Sequence, residues 1–293
     1  MTGKEIVLSA LKLGQPERTP WVPFVGVHAA FLEGIDSETY LRSKELIVKG
    51  VENAIKLYKA DGIPVVFDLQ LEAEALGCRL LWAKENPPSV CSHPLTEGIS
   101  VEELKIPDDK SGRIGIVMDA AKELTSRNPD ICFYGLVTGP FTLALHLMGT
   151  DVFMQMFTNP EGLNEVMRFC TDVCKKMAGY YKKSGVDVIA VVDPMTSQIG
   201  SEQFIEFVTP YATEVFEYIR AEKLLSSFFV CGQAQHNIEV MCNCNPDNIS
   251  VDENIPLDYV RDACLARNIS FGGNLKFTVT LLLGNEIDCE RDA

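Results

Sequence analysis

Apolar residues fall into two alternating patterns along the chain. Short runs recur as VPFVGV (22–27), IPVVFD (63–68), ICFYGLV (131–137), VIAVVD (188–193), SSFFVC (226–231), NISVDE (248–253) and ISFGGN (269–274). Several are apolar throughout, as strands covered on both faces are. Between them lie longer segments with helical spacing. Ile6, Val7, Ala10 and Leu11 mark an amphipathic helix at the start. Asp36 or Ser37 is placed to cap a helix carrying Tyr40, Leu41, Ile47, Val51, Ile55 and Leu57. Asn159 and Pro160 open another, with Leu163, Val166, Cys170, Val173, Cys174 and Met177 on its apolar face and Gly185 as its stop. Ser201 is placed to cap a further helix, which Pro210 bends or divides.

This alternation is the signature of repeated βα units around a parallel sheet. A single TIM barrel takes about 250 residues, and the chain has 293. The expected fold is therefore α/β, a TIM (β/α)8-type barrel, in one domain over residues 1–293. Residues 78–115 break the rhythm and read as a hairpin and loop excursion. Only seven strand-like runs occur, and LKFTVTLLLGN after the last is helix-like. The eighth βα unit is expected to be missing from this chain, through a C-terminal truncation or an open barrel whose edge must be covered.

The formal net charge of −15 argues against nucleic acid or an anionic membrane as partner, since Lys and Arg drive phosphate binding. The first residues lack the apolar region of a signal peptide, and no apolar run approaches the roughly 20 residues that span a bilayer. Ten cysteines spread through a large chain read as reduced thiols, most of them core filler, in a cytoplasmic protein.

In a TIM barrel the active site lies at the C-terminal ends of the strands. The residues there are His28, Asp68, Thr138, Asp193, Cys231, Asp252 with Glu253, and Asn274. The set holds carboxylates, a thiol and an imidazole but no Lys or Arg. It suits metal binding or acid–base work better than an anionic substrate. Asp68 is the first candidate, because a carboxylate after an apolar strand is costly unless used or satisfied. Asp68, Asp193, Cys231 and Glu253 are expected to face one cavity, with His28 or His146 at its rim. His93 reads as structural. Cys231, His236, Cys242 and Cys244 lie close in sequence, but their spacing is not that of a structural zinc site.

The segments VVFDLQLEAEALGC, ENPPSVCSHPL, VTGPFTLALHLMG, DVIAVVDPMTSQIGSEQFIEFVTPY, FVCG, NISVDE and FGGNL, in this order, resemble the uroporphyrinogen decarboxylase superfamily over nearly the whole chain. The resemblance implies a TIM barrel. Asp68 matches the decarboxylase's catalytic aspartate. The paired arginines that grip substrate carboxylates in that enzyme have no counterpart in VGVHAAFLEG, and His146 stands where it has an active-site tyrosine. A substrate with many carboxylates needs cationic partners, so decarboxylation of uroporphyrinogen is not expected.

EAEALGC and DPMTSQIG are closer to the corrinoid-dependent methyltransferase branch. Its members hold zinc through an H-x-C motif after strand 5 and a later cysteine. Here the motif positions are Phe229, Val230 and Cys231, so only Cys231 is kept as a metal ligand and the zinc site is incomplete. The resemblance implies methyl transfer between a corrinoid carried on a partner protein and a small-molecule donor or acceptor. In that reading Asp68, Cys231 and His146 are catalytic, and His28, Asp193, Glu253 and Asn274 line the substrate pocket. A homo-oligomer is compatible with the sequence. A lyase acting on a small substrate through Asp68 and a truncated, non-catalytic homologue stay open as alternatives.

Overall fold

Six parallel strands form one curled sheet with helices packed on its outer face, in a computed structural model that describes residues 1–293. The chain runs α1 (Gly3–Leu11), α2 (His28–Leu32), α3 (Ser37–Leu41), α4 (Lys44–Tyr58), β1 (Gly62–Pro64) and α5 (Leu71–Ala75) into the excursion. There β2 (Leu80–Leu81) and β3 (Ser89–Val90) make a small antiparallel hairpin. Next come α6 (Gly112–Arg127), β4 (Cys132–Thr138), α7 (Pro140–Met148), α8 (Asp151–Thr158), α9 (Pro160–Lys183) and β5 (Val188–Val192). They are followed by α10 (Ser201–Phe207), α11 (Thr209–Ala221), β6 (Leu225–Val230), α12 (Ile238–Asn243), β7 (Asn248–Val251), α13 (Leu257–Leu265) and β8 (Ser270–Gly272). A π-helical turn (Phe277–Leu282) and α14 (Glu286–Asp292) come last. The strand order is β1-β4-β5-β6-β7-β8, the sequential parallel order of a TIM-type barrel. No helix is long and apolar enough to cross a membrane.

The expected fold class holds, with six strands in the sheet instead of seven. Residues 22–27 do not join it. Trp21 brings the chain alongside β1, its carbonyl accepting from the Asp61 and Gly62 amides at 2.9 and 3.4 Å. Pro23 then offers no N–H to a ladder, and Gly26 turns the chain at φ +51°. The run is apolar because it fills the barrel: Phe24 packs on Phe67, Tyr134 and Phe229. The helix expected from residue 37 onward is two helices, capped separately by the side chains of Asp36 and Ser43. Asn159 caps α9 as expected. Ser201 is the first residue of α10 and its hydroxyl donates to the His236 carbonyl instead of capping. Pro210 lies in the first turn of α11, where the division was expected.

The central strands β4 and β5 are buried along their whole length, which is why they read as unbroken apolar runs. Their outer face, with Phe133, Val137, Ile189 and Val191, joins the main core beneath the helices. The inner face carries Tyr134, Leu136, Val188, Ala190 and Val192 and meets Val7 and Leu11 of α1. Toward β8 this inner face turns polar. Ser227, Asn248, Ser250 and Ser270 bond to one another across three strands at 2.7–3.2 Å, so polar side chains are buried there without orphaned groups.

Contact between β4 and α9 is tight enough to test. A Cβ on Gly135 would fall 2.4 Å from the ring of Tyr181, and that ring is fully buried. Gly135→Ala is expected to cost about 1–3 kcal/mol through overpacking, measured as a lowered denaturant midpoint with unchanged slope.

Candidate functional site

Asp68 lies beyond the end of β1, and its carboxylate is fully buried. One oxygen accepts from the Gln70 amide at 2.9 Å. The other is paired with Arg113 in the first turn of α6. The same guanidinium reaches Glu74 of α5 through Nε, and Glu74 also meets Arg42 at 3.3 Å. The indole of Trp82 lies between the two guanidinium groups, 4.8 Å from Arg42 and 5.1 Å from Arg113. Burial alone would lower the Arg113 pKa. The charges of Asp68 and Glu74 outweigh burial and hold it above its ordinary value. The carboxylate singled out from sequence as costly unless used or satisfied is one half of a buried ion pair. The cation absent from the strand ends arrives on a helix, 45 residues away in sequence.

His146 on α7 is nine-tenths buried, and its Nδ1 has no hydrogen-bond partner. Burial, with His93 adding to it against the opposing pull of Asp68, brings its pKa down to about 4, so the ring is neutral at physiological pH. Its carbonyl accepts from His93 Nδ1 at 2.9 Å and from the Cys78 thiol, which gives His93 the structural role expected of it. Asp193 is fully buried. It accepts from the Phe141 and Thr142 amides at 3.1 and 2.7 Å and from the Thr142 hydroxyl at 2.6 Å, and so caps the start of α7. Burial raises its pKa to about 6 against these bonds. Both its oxygens are engaged at the start of the helix.

Cys231 follows β6 and is partly exposed. The turn after it needs Gly232, whose φ is +83° and whose amide donates to Asp252 at 2.8 Å. Burial, then the Asp252 charge, pushes the Cys231 thiol up to about 12, so it is not a thiolate at neutral pH. Asn274 ties the end of β8 to this group by donating to the Asp252 and Ile255 carbonyls, and Glu253 accepts from the Thr278 amide at 3.3 Å. His28 stands apart and exposed, bonded to the Tyr58 hydroxyl at 2.6 Å and stacked on Phe31.

The hydrogen bonds and ion pairs of the expected site residues fall into local groups. Asp68 and His146 are near enough to influence each other electrostatically. Cys231, Glu253 and Asn274 gather around Asp252 and its neighbours, while Asp193 and His28 serve other contacts. A cleft of about 500 Å³ is lined by Arg42, Leu71, Glu74, Ala75, Gly112, Arg113 and Ile116. A second, of about 520 Å³, lies among Lys12, Arg220, Asn245 and Asn268. Neither includes Asp68, Cys231 or Glu253. Sequence reading also passed over Glu72 and Arg113. Glu72 stands four residues after Asp68 and is fully buried. The polar residues of EAEALG offer a signal only in retrospect, since Glu72 and Glu74 leave the helix in different directions.

Six parallel strands in sequential order, with helices packed outside them, define a fold of the TIM-barrel type. The chain belongs to the uroporphyrinogen decarboxylase family: the family model described as Uroporphyrinogen decarboxylase (URO-D) matches residues 2–293. It is similar to the methylcobamide:CoM methyltransferase MtbA of Methanosarcina acetivorans, 28% identical over 217 residues, 71% of this chain and 64% of that protein's length. The MtbA of Methanosarcina mazei is 26% identical over 296 residues, 99% of this chain and 87% of the relative. The uroporphyrinogen decarboxylase of Aliarcobacter butzleri is 25% identical over 184 residues, 60% of this chain and 53% of the relative. Among solved structures, a methyltransferase from Methanosarcina mazei superposes with a TM-score of 0.89 at 23% identity, covering 97% of this chain and 86% of that one.

A zinc ion does not fit the residues present. Catalytic zinc takes three protein ligands, and no group of three His, Cys, Asp or Glu side chains is placed to hold a metal. Phe229 stacks on Phe24 with ring centres 5.8 Å apart, so an aromatic plug fills the position where the resemblance puts a histidine. His236 bonds to the Ile199 carbonyl, and Cys242 and Cys244 are buried.

Two outcomes are expected. Arg113→Met leaves Asp68 buried without its cation and should lower stability by about 3–5 kcal/mol; adding Asp68→Leu should restore most of the loss in the same denaturation assay. Zinc added to the purified chain should remain sub-stoichiometric after dialysis in both the wild type and Cys231→Ala. One equivalent retained by the wild type and lost by the variant would place a metal at Cys231.

Proposed function

We propose that this chain is a cytoplasmic methyltransferase that works with a corrinoid carried on a partner protein and a small-molecule methyl donor or acceptor. The observation that carries this reading is the similarity to a methylcobamide:CoM methyltransferase along 99% of the chain, joined to the lack of arginine in the VGVHAAFLEG segment. The corrinoid supplies the methyl carrier, and the barrel supplies position and exclusion of water. Cys231 is the residue we assign to contact with the reacting group: it is partly exposed at a strand end, and Asp252 fixes the turn behind it. Asp68 acts by orienting the loop after β1 through Arg113, with the neutral His146 beside it. Glu253 and Asn274 shape the rim around Cys231, Asp193 holds α7, and His28 lies at the outer edge.

The second reading is a decarboxylase-like lyase, favoured by the similarity to uroporphyrinogen decarboxylases. The pairing of Asp68 with Arg113 weighs against it, because the carboxylate is already committed to a cation.

The two readings separate in one set of assays. Under anaerobic conditions, methylcobalamin with coenzyme M, or reduced cobalamin with simple methyl donors, is expected to show chain-dependent gain or loss of the methyl–cobalt absorbance. Cys231→Ala should lose most of that activity while keeping its fold. Carbon dioxide release from uroporphyrinogen, with no change in the corrinoid spectrum, would overturn methyl transfer and establish the lyase.

A further inference from the structure

Glu72 is fully buried at the start of α5, and both its oxygens face Thr138 at the end of β4. Oε1 accepts from the Thr138 amide at 3.1 Å. Oε2 lies 2.8 Å from the Thr138 hydroxyl, and the same hydroxyl lies 2.9 Å from the Leu69 carbonyl. We propose that Glu72 is a positioning residue whose carboxyl proton is donated to Thr138, so that the join between α5 and β4 at the barrel mouth depends on that proton.

Counting protons leads to this. A threonine hydroxyl donates one hydrogen bond. Were Glu72 ionised, two acceptors, its Oε2 and the Leu69 carbonyl, would compete for one hydrogen. With Glu72 protonated, its O–H donates to Thr138 Oγ1, Thr138 donates to Leu69, and every group is satisfied. The charges nearby agree. Asp68 raises the cost of a second anion on this turn, and its partner Arg113 is already shared with Glu74. From α9, Glu72 is faced by the thiol of Cys174, which donates to the Thr138 carbonyl, and by Tyr181. From β4 its hydrogen-bond partner is Thr138. No cation touches it. Burial, assisted by Asp68 and opposed by the bonds from Thr138 and from its own backbone, carries the Glu72 pKa to about 7.

The consequence lies at the site. Glu72 holds the turn that begins at Asp68 against the strand that leads into α7. Loss of the proton leaves Oε2 competing for the Thr138 hydrogen and sets an anion beside Asp68, so the loop loosens as pH rises. A carboxyl group whose pKa is raised on folding binds more protons in the folded than in the unfolded state between the two values. Stability therefore falls as pH rises from the ordinary glutamate range to about 7.

The test uses the full chain and its Glu72→Gln variant, whose amide makes the same donor–acceptor pattern without a titrating proton. The infrared carbonyl band of a protonated carboxylic acid is expected in the wild type at about pH 5.5, lost by about pH 8.5 and missing from the variant. Asp193 is the other buried carboxyl with a raised pKa, so the assignment rests on the difference between wild type and variant. In denaturation, the folding constant of the wild type should fall roughly thirtyfold relative to the variant over that range. Identical carbonyl regions, or parallel stability profiles, would overturn the proposal. Should the variant fail to fold, carboxyl-carbon NMR of wild type labelled at glutamate decides: one glutamate titrating near neutrality supports it, and all titrating in the ordinary range refutes it. None of these readouts depends on methyl transfer.

Discussion

The buried pair of Asp68 and Arg113 is the constraint around which the candidate site is built. Two charges can be taken out of water only if each finds its partner with good geometry. That requirement fixes α6 against the end of β1. It also fixes the excursion, because residues 78–111 must leave and return so that Arg113 meets Asp68 at the right height. The pair extends outward as an alternating row, Glu38, Arg42, Glu74, Arg113 and Asp68. The outer members are exposed and contribute little individually. The inner ones are shielded by Trp82, whose ring covers two guanidinium groups at once. A hairpin of two-residue strands is marginal by itself, and here Trp82 and Val90 pack it against the core.

The barrel interior is divided. One side is aromatic, where Phe24, Phe67, Tyr134 and Phe229 meet edge to face or stacked. The other is a hydroxyl and amide network on β6, β7 and β8. The aromatic side makes the site beneath Cys231 apolar, and such surroundings keep a thiol protonated. A catalytic zinc needs a polar cup of ligands, and an aromatic plug is the physical opposite. The departure at Phe229 is therefore more than a missing ligand: neighbouring rings have closed over the space.

How far the molecule could be read in advance depended on the range of each interaction. The parallel βα plan, the excursion, the Asn159 cap and the division near Pro210 were all legible, since each follows from residues within a few positions of one another. The run at 22–27 misled because burial, not strand pairing, is what apolar composition reports. Residues inside a barrel and residues in its wall look alike on that measure. At the site, Asp68 was rightly singled out as a carboxylate that needs a reason to be buried. Its partner was beyond reach, and so was the use of Asp193 as a helix cap.

By itself the sequence determined the class of fold and the residues that end its strands. Periodicity is a local property, set by which face of each element must be buried. The tertiary structure alone decided what state those residues are in. Asp68 and Arg113 are 45 residues apart, and Glu72 and Thr138 are 66 apart. Whether a carboxyl group is ionised, paired or protonated depends on what lies within a few ångströms of it, and only the closing of the sheet brings those partners together.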